Sequence, residues 1–193
     1  MLIACEESQT SCIAFRELGH NAFSCDLQEC SGGHPEWHIQ GDAITQLAKD
    51  WDLVIAHPPC TYLCQGSATR MFPNAQIDPI RFQQAMKAKE FFMQFYYAAC
   101  PHIAIENPRP LKCVGLPWAT QVIQPFEYGE PWSKETHLWL KNLPLLRPTQ
   151  IVPNHRCFTS AYWYAKERSK TFPGIAAAWA EQWSAFILDS DYP

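Results

Sequence analysis

Short apolar runs alternate with segments of helical periodicity over the first hundred residues, and this alternation limits the folds open to the chain. The apolar runs are bounded by turn-forming residues, which predicts buried strands at 2–5, 21–25, 52–56 and 102–105. The intervening segments place apolar side chains along one side of a helix, which predicts helices at 11–18 and 81–99. Strands that alternate with helices predict an α/β fold with a doubly wound, mostly parallel sheet.

The rest of the chain is interrupted by prolines and shows a weaker pattern. Residues 137–141 are predicted to form one further strand, and Pro173-Gly174 opens a final helix predicted at 175–188. The chain has 193 residues, of which 47% are hydrophobic, which is enough for one sizeable core and short for two. We therefore expect a single domain over residues 1–193.

Neither a membrane-spanning segment nor a secretion signal is apparent. No run of about 18 uncharged apolar residues occurs, and the first residues lack a basic region followed by an apolar stretch. The nine cysteines are an odd number at irregular spacing, and several lie in apolar segments where a reduced thiol packs well. We expect a cytoplasmic protein with free thiols and no membrane partner.

Charge is unevenly distributed along the chain. The net charge of −4 argues against a strongly basic nucleic-acid-binding protein. Between Lys134 and Lys170, however, seven basic residues accompany only two acidic ones. This segment either faces phosphate groups or forms an ordinary solvated surface, and the charge count does not decide between the two.

Polar or reactive side chains follow three of the predicted strands. Asp26 ends the second strand, residues 57–60 (His-Pro-Pro-Cys) follow the third, and Glu106 ends the fourth, 46 residues after Cys60. In a doubly wound sheet, ligands lie beyond the carboxyl ends of the strands. A thiol and a carboxyl group at neighbouring strand ends can therefore act on one substrate.

Several of these segments resemble motifs of the DNA cytosine-5 methyltransferases, in the order that the family carries them. Residues 51–60, a hydrophobic strand running into Pro-Pro-Cys, are similar to the nucleophile motif, and residues 104–108 are similar to the Glu-Asn-Val motif. Asp26 and Asp42 lie where the family has acidic residues that contact the cofactor. Residues 170–174 and the following helix resemble the C-terminal segment that packs beside the first strand. In length and layout the chain is similar to short phage and prophage members that lack a target-recognition domain.

This resemblance implies a Rossmann-like class I methyltransferase fold and methyl transfer from S-adenosylmethionine to carbon 5 of cytosine, in DNA or a free nucleotide. It implies that Cys60 adds to carbon 6, that Glu106, with its pKa raised by burial, protonates the ring, and that Lys134 contacts the base or its phosphate. The cofactor-binding residues that it implies are Cys5, Glu6, Ser8, Gln9, Asp26, Leu27, Asp42 and Pro58. The substrate-binding residues that it implies are Pro59, Asn107, Arg168 and Lys170.

The chain departs from the family at two places. The first strand runs into residues 5–9, Cys-Glu-Glu-Ser-Gln, where the family has a glycine-rich turn that lets the backbone approach the cofactor. Only about twenty-five residues separate Lys141 from Arg168, where the family carries its long target-recognition region. So short a segment supplies few side chains for base readout, which predicts low sequence specificity, a single-stranded or nucleotide substrate, or a partner protein that supplies recognition.

Other interpretations remain open. A non-catalytic module that kept the fold and binds nucleic acid or a protein is the main alternative, because the turn at residues 5–9 is altered. Methylation of an exocyclic amine is disfavoured, since residues 57–60 lack the acid or amide and the aromatic that this chemistry uses. Zinc would suit the residue types in the cluster formed by Cys25, Cys30, His34 and His38, but the spacing fits no common zinc pattern, so we predict no metal and a loop covering the cofactor edge. Cys64 is either a second thiol of the site or a packing residue.

Overall fold

The computed structural model describes residues 1–158 and 169–190. The strands are β1 (Leu2–Ala4), β2 (Phe23–Asp26), β3 (His38–Gln40), β4 (Leu53–Ala56), β5 (His102–Pro108), β6 (Gln121–Ile123), β7 (Trp132–Ser133), β8 (Thr136–Lys141) and β9 (Arg156–Cys157). The helices are α1 (Thr10–Glu17), α2 (Ala43–Gln46), α3 (Ala68–Met71), α4 (Pro79–Tyr96) and α5 (Pro173–Ser190). Within this described part, no helix combines the length and the apolar character needed to cross a membrane.

Seven strands form one sheet in the order β3-β2-β1-β4-β5-β8-β6, and β7 pairs with β9 in a separate ribbon. All neighbours in the large sheet are parallel except β8, which runs antiparallel to both β5 and β6. The predicted fold class, an α/β fold with a doubly wound and mostly parallel sheet, is confirmed. The central strands are apolar and fully buried, as expected where helices cover both faces of a parallel sheet.

The register of the central strands brings their carboxyl ends to one level. Ala4 of β1 pairs with Ala56 of β4, and Ala56 pairs with Ile105 of β5. The residues that follow, His57 after β4 and Glu106 within β5, therefore lie side by side at the carboxyl-terminal edge of the sheet, where the parallel strands end. This edge is where ligands of doubly wound folds bind.

Side chains alternate between the two faces of the sheet and fill two cores. One core packs α4, through Phe92 and Phe95, against one face of β1, β4 and β5. The other packs Trp179 and Trp183 of α5 together with Phe15 of α1 against the opposite face. Both tryptophans are fully buried and their rings stack at 5.5 Å. Helix α5 therefore packs beside α1 on this face of the sheet.

The short elements were not predicted from the sequence. Strands β3, β6, β7 and β9 and helices α2 and α3 have two to four residues each, too few to establish a hydrophobic period. The predicted long elements were right within a few residues. The predicted strand 102–105 continues to Pro108 because β8 pairs with its whole length.

The start of α5 gives a stability test at Gly174. A Cβ atom there would lie 1.8 Å from the carbonyl oxygen of Tyr128, far inside van der Waals contact. Helix propensity alone favours Gly174→Ala by about 1 kcal/mol, whereas overpacking costs about 1–3 kcal/mol or more. We expect the clash to dominate, so that Gly174→Ala lowers the free energy of unfolding in urea titration. Gly41→Ala is the matched control, since a Cβ atom at Gly41 meets nothing within 4 Å. A stability of Gly174→Ala equal to that of the control would contradict this packing.

Candidate active site

The turn after β4 is held by contacts to both neighbouring strands. The His57 amide donates to the carbonyl oxygen of Ala4 at 2.9 Å and so extends the β1–β4 ladder by one residue. The Asn107 side-chain amide donates to the carbonyl oxygen of Pro58 at 2.7 Å, and Asn107 is 1% exposed. Pro59 is exposed at the tip of the turn. These bonds fix the backbone that leads into Cys60.

The structure gives Asn107 a positioning role that differs from the substrate contact predicted for it. Its amide group donates to Pro58, and its side-chain oxygen is buried without a hydrogen-bond partner among the described residues. Pro58, predicted to contact the cofactor, is itself buried and contributes a carbonyl oxygen to this bond.

His57 and Glu106 form a closely spaced pair on adjacent strands. His57 Nδ1 lies 3.2 Å from Glu106 Oε2, with side chains only 9% and 15% exposed. The His57 ring also lies 5.6 Å from that of Trp179, and its buried Nε2 has no hydrogen-bond partner within residues 1–158 and 169–190. The sequence did not single out His57, because a histidine before two prolines carries no signal by itself.

The pKa of Glu106 departs from the sequence-based expectation. Burial raises this pKa, but the hydrogen bond from His57 and the positive charges of Lys134 and His57 outweigh burial and hold it below its ordinary value. We predicted a raised pKa and a carboxyl group that keeps its proton, and that prediction is wrong for the protein without ligand. Glu106 is therefore ionised at neutral pH and depends on its neighbours for a proton.

Cys60 and Cys64 lie in one turn, and each thiol affects the ionisation of the other. The Cys64 amide donates to the carbonyl oxygen of Cys60 at 3.1 Å, which makes a single helical turn. The Cys60 thiol donates a hydrogen bond to the Cys64 sulfur, and this bond is the main reason that the pKa of Cys64 is lowered to about 6. Burial of Cys64 opposes this lowering, whereas backbone amides such as that of Gly66 add to it. The same bond, together with burial and the negative charges of Cys64 and Glu106, raises the pKa of Cys60. Ionisation of the pair is therefore favoured at Cys64 over Cys60.

The positive charge of Lys134 acts on both the His57–Glu106 pair and the Cys60–Cys64 pair. Its positive charge lowers the pKa of Glu106 and acts in the same direction on Cys60. Glu106 and Lys134 line a small hollow together with Lys170, Thr171 and Phe172. Cys60 does not line this hollow, although its sulfur lies within the field of both charged groups. Arg168 lies outside the described residues.

Acidic side chains gather at the other end of the same edge. Asp26 ends β2 and accepts a hydrogen bond from the Gln28 amide at 2.9 Å, while Asp42 caps α2 by accepting from the Ile44 amide at 2.9 Å. Burial and the charges of Asp26, Cys25 and Asp42 raise the pKa of Cys5, which shows that these groups are close together. Leu27 is exposed beside them.

The turn between β1 and α1 differs from the predicted cofactor contact. Glu6 is 4% exposed, and its two carboxylate oxygens accept from the amides of Ser11 at 2.7 Å and Cys12 at 3.2 Å. Gln9 is fully buried and bonds to Ser24 and to the backbone of His34. Of the predicted contacts in this turn, Glu6 and Gln9 therefore point inward.

The loop after β2 packs on this turn. A Cβ atom at Gly32 would lie 2.5 Å from Cβ of Gln9, so only glycine allows this approach. Both ring nitrogens of His38 are hydrogen-bonded, and the His34 ring stacks on Trp37. Within residues 1–158 and 169–190, no three metal-ligating side chains converge on one point.

The fit of this edge to S-adenosylmethionine differs between the two halves of that molecule. The nucleoside half carries hydroxyl and amine donors, which carboxylates such as Asp26 and Asp42 can accept. The amino-acid half carries a carboxylate, for which a helix N-terminus is a natural site. At the N-terminus of α1, the Glu6 carboxylate already accepts hydrogen bonds from the backbone amides of Ser11 and Cys12. The residues fit the nucleoside half and do not fit the ligand carboxylate.

Similarity to known proteins is found among solved structures alone. No family model matches the chain, and no curated protein matches it. Among solved structures, the chain is similar to a protein provisionally assigned as a DNA modification methyltransferase encoded within a prophage of E. coli, with 13% sequence identity and a TM-score of 0.45. The match covers 79% of this chain and 51% of the other, so the chain spans about half the length of that protein.

The thiol pair gives a pH-dependent prediction. Alkylation of Cys64 by iodoacetamide should rise with pH through about 6, where its thiol ionises. Cys60→Ala removes the hydrogen bond that contributes most to this lowering, so the midpoint should move upward. Peptide mass spectrometry across a pH series measures both midpoints, with the exposed Cys157 as the internal reference for reagent reactivity. Identical midpoints in the two proteins would show that the sulfurs do not share a proton.

Proposed function

We propose that this chain is an S-adenosylmethionine-dependent methyltransferase that acts on carbon 5 of cytosine through a covalent adduct at Cys60. The observation that carries the proposal is a pair of side-chain contacts between the turn after β4 and strand β5. His57 pairs with Glu106, and Asn107 bonds to Pro58, so the turn that bears the thiol and the strand that bears the carboxylate are fixed side by side. A nucleophile and a proton-transfer group at one sheet edge are what addition to a pyrimidine requires.

The first step is addition of the Cys60 sulfur to carbon 6. The Cys60 proton passes to the Cys64 thiolate as the sulfur–carbon bond forms, so no free hydroxide is needed. The electrons of the carbon 5–carbon 6 double bond move toward nitrogen 3, which takes up a proton. Carbon 5 becomes nucleophilic as a result.

The proton for nitrogen 3 is supplied by the His57–Glu106 pair. Glu106 is ionised in the free protein, so it acts by relaying to nitrogen 3 a proton that His57 Nδ1 donates across their hydrogen bond. S-adenosylmethionine, when bound, supplies an electrophilic methyl group to carbon 5. The carbon 5 proton then passes to solvent water as the sulfur leaves carbon 6, which reforms the carbon 5–carbon 6 double bond. Nitrogen 3 returns its proton to the His57–Glu106 pair, and the Cys60 thiolate recovers its proton from Cys64.

Substrate contacts are proposed for the basic residues beside the site. Lys134 and Lys170 line the hollow next to Glu106, where they can meet the phosphate of a nucleotide or of DNA. Arg168 and the exposed Pro59 remain predicted substrate contacts on the resemblance alone. Few side chains are available to read base edges, which supports a single-stranded or nucleotide substrate, or recognition by a partner protein.

The second candidate function is a non-catalytic module that binds nucleic acid or a protein. The observation that favours it is the carboxylate of Glu6 at the start of α1, where a cofactor carboxylate would otherwise lie. Isothermal titration with S-adenosylmethionine separates the two functions. An enzyme of the proposed kind binds the compound, whereas the module shows no heat of binding.

The covalent step can be trapped. An oligonucleotide containing 5-fluorocytosine, added with S-adenosylmethionine, should give an adduct on Cys60 that survives denaturation, because fluorine cannot leave carbon 5 as a proton does. Cys60→Ala should give none, and Cys64→Ala should form the adduct at least about tenfold more slowly, since the proton acceptor is lost. Cys157→Ala is the matched control and should react like the parent protein. Peptide mass spectrometry locates the adduct, and an adduct on any other residue would reject Cys60 as the nucleophile.

A further inference from the structure

The Glu6 side chain occupies the place where an anionic ligand would meet the sheet edge. Its two oxygens take the second and third amides of α1, which begins at Thr10. These amides are the donors that a helix N-terminus offers to a ligand anion. Helix α1 therefore has the Glu6 carboxylate bound at its N-terminus.

The carboxylate is held in place by its surroundings. Hydrogen bonds between a charged carboxylate and backbone amides are about twice as strong as neutral ones. The turn that carries Glu6 is fixed at its far end by Gln9, which makes three side-chain hydrogen bonds, and from above by the close approach of Gly32. A small ligand would have to break this arrangement to reach the amides.

A second carboxylate would also be unfavourable on electrostatic grounds. Among the described residues, no basic side chain forms an ion pair with Glu6. Asp26 and Asp42 add two further negative charges along the same edge, and both act on the half-buried Cys5. The edge therefore favours hydroxyl and amine donors or a positive charge, and disfavours an added anion.

We propose that this edge recognises an adenosyl thioether or sulfonium through its nucleoside, with Glu6 standing where the carboxylate of the ligand would otherwise bind. The proposal rests on the proposed function in one respect, since both require an adenosyl ligand at this edge. It adds that removing the amino-acid portion of the ligand, with its carboxylate, does not weaken binding. The ligand class thus includes adenosyl compounds that have no amino-acid carboxylate.

Titration calorimetry on the full chain tests this with two ligands. S-adenosylhomocysteine carries the amino acid, and 5′-methylthioadenosine keeps the nucleoside and the thioether without it. We expect 5′-methylthioadenosine to bind more tightly, or within about threefold of S-adenosylhomocysteine. Binding of S-adenosylhomocysteine about tenfold tighter or more would overturn this inference and leave the proposed function intact. Absence of binding by both would overturn the inference together with the proposed cofactor.

Substitutions in the turn test whether Glu6 sets the ratio of the two ligand affinities. Glu6→Ala frees the two amides and should increase the affinity for S-adenosylhomocysteine about tenfold relative to 5′-methylthioadenosine. Glu6→Gln, which keeps the shape and removes the charge, should move the ratio in the same direction and serves if the alanine variant does not fold. Glu7→Gln makes the same charge change one residue along, where the side chain contacts Ser31, and should leave the ratio unchanged. An unchanged ratio in both Glu6 variants, or an equal change in Glu7→Gln, would refute the role of Glu6.

Discussion

The parallel pairing of β4 with β5 is the constraint on which the candidate site depends. Because Ala56 is in register with Ile105, the next residues of both strands meet at the sheet edge. The His57–Glu106 and Asn107–Pro58 bonds then continue the contact with side chains where the backbone ladder ends. A shift of one residue would turn Glu106 to the opposite face of the sheet and break both bonds. The geometry of the site is thus a direct consequence of strand register.

The turn after β1 shows how a chain can replace a glycine-rich segment by side-chain bonding. Cys5 and Gln9 both adopt left-handed backbone conformations, with φ of 59° and 60°. Each costs about 1 kcal/mol or more for a residue with a side chain, whereas glycine adopts them freely. The hydrogen bonds of Glu6 to α1 and of Gln9 to the β2–β3 loop offset this cost. The same bonds that make glycine unnecessary also fill the first turn of α1.

The sequence predicted the parts of the fold that rest on long hydrophobic patterns. The central strands and α4 have enough apolar residues to establish their period, and the placement of Asp26 at the end of β2 followed from those strands. Glu106 lies two residues before the end of β5, which is longer than predicted. The missed features rest on single contacts between distant residues. Neither the partnership of His57 with Glu106 nor the inward turn of Glu6 has a local signal, because each depends on tertiary packing. Burial alone suggested a raised pKa for Glu106, and the opposite direction results from two neighbours that only the fold brings close.

Two proton-sharing pairs at one sheet edge suit a reaction that moves two protons in opposite directions. Addition at carbon 6 removes a proton from the nucleophile and adds one to the far side of the ring. In the proposed reaction, Cys64 accepts the first and the His57–Glu106 pair delivers the second. The positive charge of Lys134 acts on both pairs, lowering the pKa of Glu106 and opposing the rise at Cys60. Because one cation acts on Glu106 and on Cys60, a phosphate that approached Lys134 would raise the pKa of both groups, which favours the protonated carboxyl of Glu106 and opposes proton loss from Cys60. In the proposed reaction, Lys134 would thereby couple substrate binding to proton transfer.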